Sequence, residues 1–210
     1  MIEVELKAHL KDRAAAIAAV SAFARPIGEV DKRDAYWHGP DWRLHRGTRG
    51  FRLRTESDAE GRDAKGVATK RVVTFKTKRA EGDIEINREV EFAVSDGAAF
   101  DEFALRLGCE PYYEKRKRGY AFKAGCAECG TGSEGPREAT IEIVEVEGLG
   151  DFIEIELLLE DEEPARVASA QGEIRALLHK AGIGDEDVES RFYSELLIEA
   201  GLVQADPEGR

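Results

Sequence analysis

The feature that most constrains this fold is an alternation of charged and apolar residues in short segments, clearest at the start of the chain. In an extended strand, Glu3, Glu5 and Lys7 point to one side, and Val4 and Leu6 point to the other. One such segment predicts only a strand whose apolar side is buried and whose charged side meets water. What the chain folds into therefore depends on whether other strands repeat the pattern with complementary charges.

Five further segments each present a pair of like charges on one side. The pairs are Arg52 and Arg54, Lys76 and Lys78, Glu89 and Glu91, Lys115 and Lys117, and Glu154 and Glu156. Apolar residues occupy the opposite side in all but the segment of Lys115 and Lys117. There the opposite side carries Arg116 and Arg118, which we expect to meet solvent or acidic residues of a helix.

Hydrophobic periodicity and turn residues predict the order strand, helix, four strands, helix, three strands and two helices. We expect one domain over residues 1–200 and a frayed tail over residues 201–210. Connections of hairpin length between several strands predict a mainly antiparallel sheet, and hence an α+β protein.

Two architectures fit this pattern. In the first, an open antiparallel sheet carries helices on its apolar side and water on its charged side. In the second, the sheet closes into a barrel whose charged residues point inward, with the helices outside. Buried charges without water or partners are costly, and such a barrel becomes reasonable if its interior is a wet channel that binds a charged ligand and metal ions. The alternation by itself leaves both architectures open.

The charges would suit a metal–polyphosphate complex. Lysine and arginine bind phosphate oxygens, and arginine adds a planar fork of donors. Carboxylates on other strands suit hard divalent cations such as Mg²⁺ or Mn²⁺.

Composition and charge limit the kinds of partner that the chain is expected to bind. The 210 residues carry a net charge of −12, which argues against a nucleic-acid or anionic-membrane surface. No segment approaches the roughly 20 apolar residues of a membrane span. A strand begins at Ile2 without the features of a secretory signal, so we expect a cytoplasmic protein. Cys126 and Cys129 have the spacing of a metal knuckle, but no second pair completes four ligands, which favours a plain loop dithiol.

The ordered motifs of the chain resemble those of the CYTH family, also called triphosphate tunnel metalloenzymes. The first segment has the ExExK form that opens the family, and residues 147–156 are close to its GLGxFxEIE block. Further similar motifs are Phe51-Arg52-Leu53-Arg54, Thr74-Phe75-Lys76, Arg88-Glu89-Val90-Glu91, Lys115-Arg116-Lys117 with Tyr120, and Tyr193-Ser194-Glu195-Leu196-Leu197. Lys117 stands where the family commonly has arginine, and Phe192 where it has serine. The ExExK form alone is weakly specific, whereas the ordered set over about residues 1–200 is specific.

The resemblance implies an eight-stranded antiparallel β-barrel, a tunnel with a polar interior and helices packed outside, which binds triphosphates with Mg²⁺ or Mn²⁺. By position, the implied metal ligands are Glu3, Glu5, Glu154 and Glu156, with Glu89, Glu91 and Glu142 as further acidic residues. The implied phosphate-binding residues are Lys7, Arg52, Arg54, Lys76, Lys115 and Lys117, of which we expect Lys7, Arg54 and Lys76 to be catalytic.

The family includes class IV adenylate cyclases, thiamine triphosphatases and inorganic triphosphatases. The GLGDFIEIE block and the chain length favour a cyclase that converts ATP to cyclic AMP and diphosphate. An inorganic or thiamine triphosphatase is the first alternative. A non-catalytic nucleotide or polyphosphate binder is the second, because Val144 stands where many members have aspartate, although Glu142 lies on the same side and could replace it. We expect a nucleotide or inorganic triphosphate as partner, and the homodimer is the oligomer we consider.

Overall fold

The computed structural model describes residues 1–40, 50–57, 70–125 and 137–205. The elements, in chain order, are β1 (Ile2–His9), α1 (Arg13–Ser21), β2 (Arg25–His38), β3 (Phe51–Ser57), β4 (Lys70–Glu81), β5 (Ile84–Ala93), α2 (Gly97–Arg106), β6 (Glu110–Gly125), β7 (Glu138–Val146), β8 (Gly150–Leu159), α3 (Pro164–Lys180) and α4 (Tyr193–Glu199). This is the order that the sequence predicts, with an added 3₁₀ turn at Asp185–Asp187. Cys126 and Cys129 lie outside the described residues, so the dithiol prediction is not addressed.

All eight strands form one closed antiparallel barrel in the order β1-β5-β4-β3-β2-β6-β7-β8, with β8 pairing back to β1. This confirms the α+β barrel and excludes the open sheet with a solvated charged side. We call the interior of the barrel the lumen.

Strand register decides which side chains share the lumen. Glu5 pairs with Glu156 and Lys7 pairs with Glu154 across the β1–β8 ladder. Directly paired residues point to the same side of a sheet, so the charged sides of the two strands coincide.

The apolar sides of β1, β7 and β8 form the main core outside the barrel. Leu6 and Ile155 pack there with Ile174 and Leu178 of α3, and all four side chains are almost completely buried. Each contributes about 1.5–3 kcal/mol relative to an exposed position. The helix begins after Glu163, whose carboxylate accepts hydrogen bonds from two backbone amides, and Pro164 starts its first turn.

The covering of the outer surface is uneven. Phe75, Val90 and Phe92, on the apolar sides of β4 and β5, remain 39%, 59% and 54% exposed.

On β6, Arg116 forms a two-pronged ion pair with Asp31 of the neighbouring strand β2. The Arg116 side chain remains 42% exposed, in agreement with the expected contact with solvent, and its acidic partner lies on the adjacent strand rather than on a helix.

Helix α4 lies over one end of the lumen. Its Tyr193 and Leu196 pack with Val144 of β7 and Phe152 of β8, which are directly paired residues. The lumen is therefore apolar at this end and charged further along. Among the described residues, no helix combines the length and apolar character needed to cross a membrane.

Candidate functional site

Ion pairs between strands that are not neighbours show where the charged side chains lie. Lys117 of β6 donates to Glu154 of β8 over 2.5 Å, although β7 separates the two strands. Lys76 of β4 pairs with Glu3 of β1 across β5. Both pairs form over the charged side of the intervening strand, and because the barrel is closed with its apolar sides packed outside, these side chains occupy the lumen.

Four carboxylates from β1, β5 and β8 form what we call the acidic cluster: Glu3, Glu5, Glu89 and Glu156. The ammonium group of Lys76 lies within it, in contact with Glu3, 3.0 Å from Glu89 and 3.4 Å from Glu5. Burial alone would lower the pKa of Lys76, but these carboxylates raise it well above its usual range. Lys76 is therefore held in its charged form.

The acidic cluster holds more negative charge than Lys76 neutralises. Burial, followed by repulsion from Glu3 and Glu5, raises the pKa of Glu156 well above its usual range. Burial also raises the pKa of Glu3, and Lys76 opposes that shift. The cluster consequently favours proton uptake, or an additional cation, over full ionisation.

The donor set of the cluster fits a hard divalent cation, because Mg²⁺ and Mn²⁺ prefer carboxylate oxygens. The side chains are not yet arranged for it: in the part of the chain that the structure describes, no three acidic, histidine or cysteine residues are poised to hold a metal ion. Lys76 lies where Glu3, Glu5 and Glu89 would otherwise converge. A metal ion bound here would have to displace this ammonium group.

Across the barrel from β1, three cations surround one carboxylate. Asp34 of β2 is completely buried and accepts two hydrogen bonds from Arg54, at 2.6 and 2.8 Å. Arg52 lies 3.7 Å and Lys115 lies 3.6 Å from the same carboxylate. We call Arg52, Arg54 and Lys115 the cationic wall. Burial alone would raise the pKa of Asp34, but Arg54, Lys115 and Arg52 hold it well below its usual range.

Three lysines, among them Lys115 of the cationic wall, lie near the α4 end of the lumen. The ammonium groups of Lys115, Lys117 and Lys7 lie 4.6, 4.9 and 5.6 Å from the centre of the Tyr193 ring. Tyr193 also donates its hydroxyl proton to Glu154. Burial, with repulsion from Lys117, lowers the pKa of Lys115 to about 7. Lys115 is thus a lumen cation that is only partly charged near neutral pH.

The structure brings the predicted site residues together in the lumen, although their roles stay predictions. Lys7 pairs with Glu85 at 2.5 Å, and Glu142 pairs with Lys32. Glu91 is the most exposed of the set, with a side chain 47% exposed that accepts a hydrogen bond from Thr74.

Sequence reasoning missed several lumen residues: Lys32, Asp34, Glu85, Asn87 and the hydroxyl group of Tyr193. The signal was present for most of them. Lys32 and Asp34 alternate in β2, while Glu85 and Asn87 have the same parity as Glu89 in β5. These residues do not form pairs of like charge, so the pattern of paired charges does not include them.

Val144, which stands in place of a common aspartate, belongs to the apolar end of the lumen. It is completely buried and pairs with Phe152. Glu142 points to the same side as Val144 and pairs with Glu154 in register, but it forms an ion pair with Lys32. A metal-binding role for Glu142 therefore stays a prediction.

The closed antiparallel barrel and its charged lumen define a tunnel protein, with helices outside and one helix over an end. The model of the CYTH domain family matches residues 1–193, and this chain accordingly belongs to the CYTH family. A search of curated proteins finds no match.

Solved structures share the fold over nearly the whole chain. The PH1819 protein of Pyrococcus horikoshii OT3 is 24% identical, with a TM-score of 0.72 and coverage of 94% of this chain and 98% of its own. A protein of Vibrio parahaemolyticus, named as a candidate adenylate cyclase, is 19% identical, with a TM-score of 0.69 and coverage of 94% and 98%. A candidate adenylyl cyclase of Hippeastrum, described as having a dominant triphosphatase activity, is 16% identical, with a TM-score of 0.58 and coverage of 98% and 97%.

Proposed function

We propose that this protein is a divalent-metal-dependent enzyme that acts on a triphosphate inside the lumen. The observation that carries the proposal is the separation of charge: the acidic cluster lies on β8, β1 and β5, and the cationic wall lies on β3 and β6 across the barrel. A metal–triphosphate complex needs both surfaces. Cationic side chains would bind its oxygens, and the carboxylates would hold metal ions that offset the negative charge of those oxygens.

The roles that we propose combine the motif resemblance with the positions of these residues in the lumen. Glu3, Glu5, Glu154 and Glu156 would hold Mg²⁺ or Mn²⁺, with Glu89, Glu91 and Glu142 as further acidic residues. A bound metal ion would offset the negative charge of the phosphate oxygens. Lys7, Arg52, Arg54, Lys76, Lys115 and Lys117 bind the phosphates, and Lys7, Arg54 and Lys76 stabilise the charge that develops as a P–O bond breaks.

The reaction that we favour is that of an adenylate cyclase. The 3′-hydroxyl oxygen of ATP bonds to the α-phosphorus, its proton is released, and the bond from that phosphorus to the diphosphate oxygen breaks. The products are cyclic AMP and diphosphate. Support comes from the GLGDFIEIE block at residues 147–156 and from the similar fold of the Vibrio protein.

Hydrolysis of an inorganic or thiamine triphosphate is the second candidate. It is supported by the Hippeastrum protein, which shares the fold and is described as chiefly a triphosphatase. A third candidate is a binder without turnover, supported by the apolar Val144 and Phe152 inside the barrel. The cytoplasmic location, the homodimer and the exclusion of nucleic-acid and membrane partners stay predictions from the sequence.

One product assay separates these candidates. The protein is incubated with ATP, tripolyphosphate or thiamine triphosphate and with Mg²⁺ or Mn²⁺, and the products are separated chromatographically. We expect cyclic AMP and diphosphate from ATP, and no product when EDTA replaces the metal ion. Inorganic phosphate as the main product would favour the triphosphatase, and metal-dependent binding without product would favour the binder. Failure to bind any of the three compounds would overturn the proposal.

A further inference from the structure

Asp34 stands apart from the other carboxylates of the lumen. It is completely buried, and its ion-pair partners among the described residues are all cations: Arg54 through two hydrogen bonds, and Arg52 and Lys115 at 3.6–3.7 Å. It lies on β2, away from the strands β1, β5 and β8 of the acidic cluster. Asp34 is not one of the residues that we propose to hold a metal ion.

The charges around Asp34 do not balance. Asp34 meets three cationic side chains, of which each is at most 14% exposed. Among the described residues, the one other carboxylate that forms an ion pair with any of them is Glu91, which is 47% exposed and lies 4.0 Å from Arg52. Buried charge without a partner is costly, so a purely structural ion pair should be close to neutral. The surplus of positive charge indicates that an anion from outside the chain binds to the cationic wall.

A second observation points the same way. The Nε–H group of Arg52 is buried and has no hydrogen-bond partner within the described residues. A buried donor without a partner typically costs about 1–3 kcal/mol, and such groups in native proteins commonly mark a ligand site. Arg54 uses only two of its five N–H donors on Asp34. The wall therefore retains donors for the oxygens of an anion.

We propose that Asp34 is a positioning residue for the triphosphate, fixing the Arg54 guanidinium and aligning Arg52 and Lys115 toward one phosphoryl group. The inference rests on the proposed function, because it assigns the anion to the substrate of the same lumen. The physical basis of this role is the two-pronged contact between Asp34 and Arg54. Two parallel hydrogen bonds fix the plane of a guanidinium group, whereas a single ionic contact leaves it free to rotate.

The alternative role for Asp34 is simple neutralisation of charge. The two roles predict opposite changes in tripolyphosphate affinity when Asp34 is replaced by asparagine. If Asp34 only offsets charge, Asp34→Asn makes the wall more positive and strengthens tripolyphosphate binding. If Asp34 positions the wall, Asp34→Asn weakens binding despite the added positive charge. We expect a loss of about 10- to 100-fold, since small misplacements of binding groups have effects of that size.

The measurement is the tripolyphosphate dissociation constant by calorimetry in EDTA, with kcat and KM for the active substrate measured separately. The matched control is Asp31→Asn. Asp31 lies on the same strand and makes the same two-pronged contact, with Arg116, but on the outer side of the barrel. We expect this control to bind tripolyphosphate as the wild type does.

Asp34→Glu separates charge from geometry and covers the case in which the asparagine variant does not fold. It keeps the negative charge but moves the carboxylate by one methylene group, so the positioning role predicts weaker binding and the neutralising role predicts no change. Circular dichroism and thermal unfolding report the folded state of each variant. If neither variant folds, Asp34 is structural and the inference is overturned.

The outcomes also distinguish this inference from the proposed function. A wild-type protein that binds none of the triphosphates overturns both. A wild-type protein that binds and processes a triphosphate, with variants of Asp34 that do so equally well or better, overturns only the positioning role.

Discussion

The ammonium group of Lys76 lies 3.0 Å from the carboxylate of Glu89, its direct partner in the β4–β5 ladder, and reaches on to the carboxylates of β1. A lysine from the phosphate-binding set thus occupies the centre of the acidic cluster proposed for the metal. A metal ion held by these carboxylates would compete with the Lys76 ammonium group for the same oxygens.

This competition gives a first prediction. Lys76→Met should bind Mn²⁺ about tenfold more tightly in the absence of triphosphate, because no ammonium has to be displaced, and should bind tripolyphosphate more weakly. Calorimetry of Mn²⁺ and of tripolyphosphate separately measures the two effects. The control is Lys70→Met on the same strand, whose side chain is 66% exposed. Equal Mn²⁺ affinity in Lys76→Met and wild type would contradict the competition.

A second prediction concerns Glu5. Glu5→Ala should lose metal-dependent binding and lower turnover by at least about 100-fold, because a carboxylate of the proposed metal site is removed. Glu145→Ala, an exposed glutamate on β7, provides the control and should leave both unchanged. Survival of metal-dependent binding and turnover in Glu5→Ala would show that Glu5 holds no metal ion.

The third prediction is a pH dependence from Lys115. The groups around it are Asp34 and Tyr36 of β2, Arg54 of β3, Lys117 of β6, Glu154 of β8 and Tyr193 of α4. Since burial and Lys117 lower its pKa to about 7, Lys115 loses its proton as the pH rises through about 7. Tripolyphosphate affinity should therefore decrease between about pH 6 and pH 8, and Lys115→Met should remove that part of the decrease.

As the pH rises, loss of the Lys115 proton lowers tripolyphosphate affinity but raises the free energy of unfolding. Between about pH 7 and its ordinary pKa near 10.4, the unfolded chain binds the proton of Lys115 and the folded chain does not. Stability rises with pH wherever the unfolded state binds more protons, so this residue contributes a rise above pH 7. Comparing denaturant unfolding of wild type and Lys115→Met at several pH values isolates that contribution, and parallel curves would contradict it.

A fourth prediction tests the packing of the barrel wall. A Cβ atom at Gly119 of β6 would lie 2.8 Å from the Cα atom of Val144 and closer still to the carbonyl oxygen of Ile143. These are backbone atoms, so Gly119→Ala should destabilise the fold by about 1–3 kcal/mol or more. Gly172→Ala in α3 is the control: its Cβ meets nothing within 4 Å, and alanine favours a helix by about 0.5–1 kcal/mol. Chemical denaturation measures both, and equal stability of the two variants would contradict the close contact at Gly119.

The strand alternation in the sequence predicted much of this structure. Glu3, Glu5 and Lys7 share one side of β1, and the order of strands and helices is the observed one. The ordered motifs then indicated the closed barrel. These features are local, because side-chain direction in a strand depends only on odd or even position.

Other features of the site could not be predicted from local sequence patterns. The meeting of Lys76 with Glu3, of Lys117 with Glu154, and of Asp34 with three cations depends on which strands lie side by side or face each other in the closed sheet. The position of Tyr193 among the lysines depends on where α4 packs. No periodicity encodes these distances.

The sequence by itself therefore determined which residues of each strand point to the charged side, because the two-residue repeat of an extended backbone settles that without any other contact. Only the tertiary structure decided which charges neutralise one another, that Lys76 lies inside the acidic cluster, and that the Nε–H group of Arg52 has no partner among the described residues. The physical reason is that charge interactions fall off with distance and depend on burial, and both are set by the closure of the barrel.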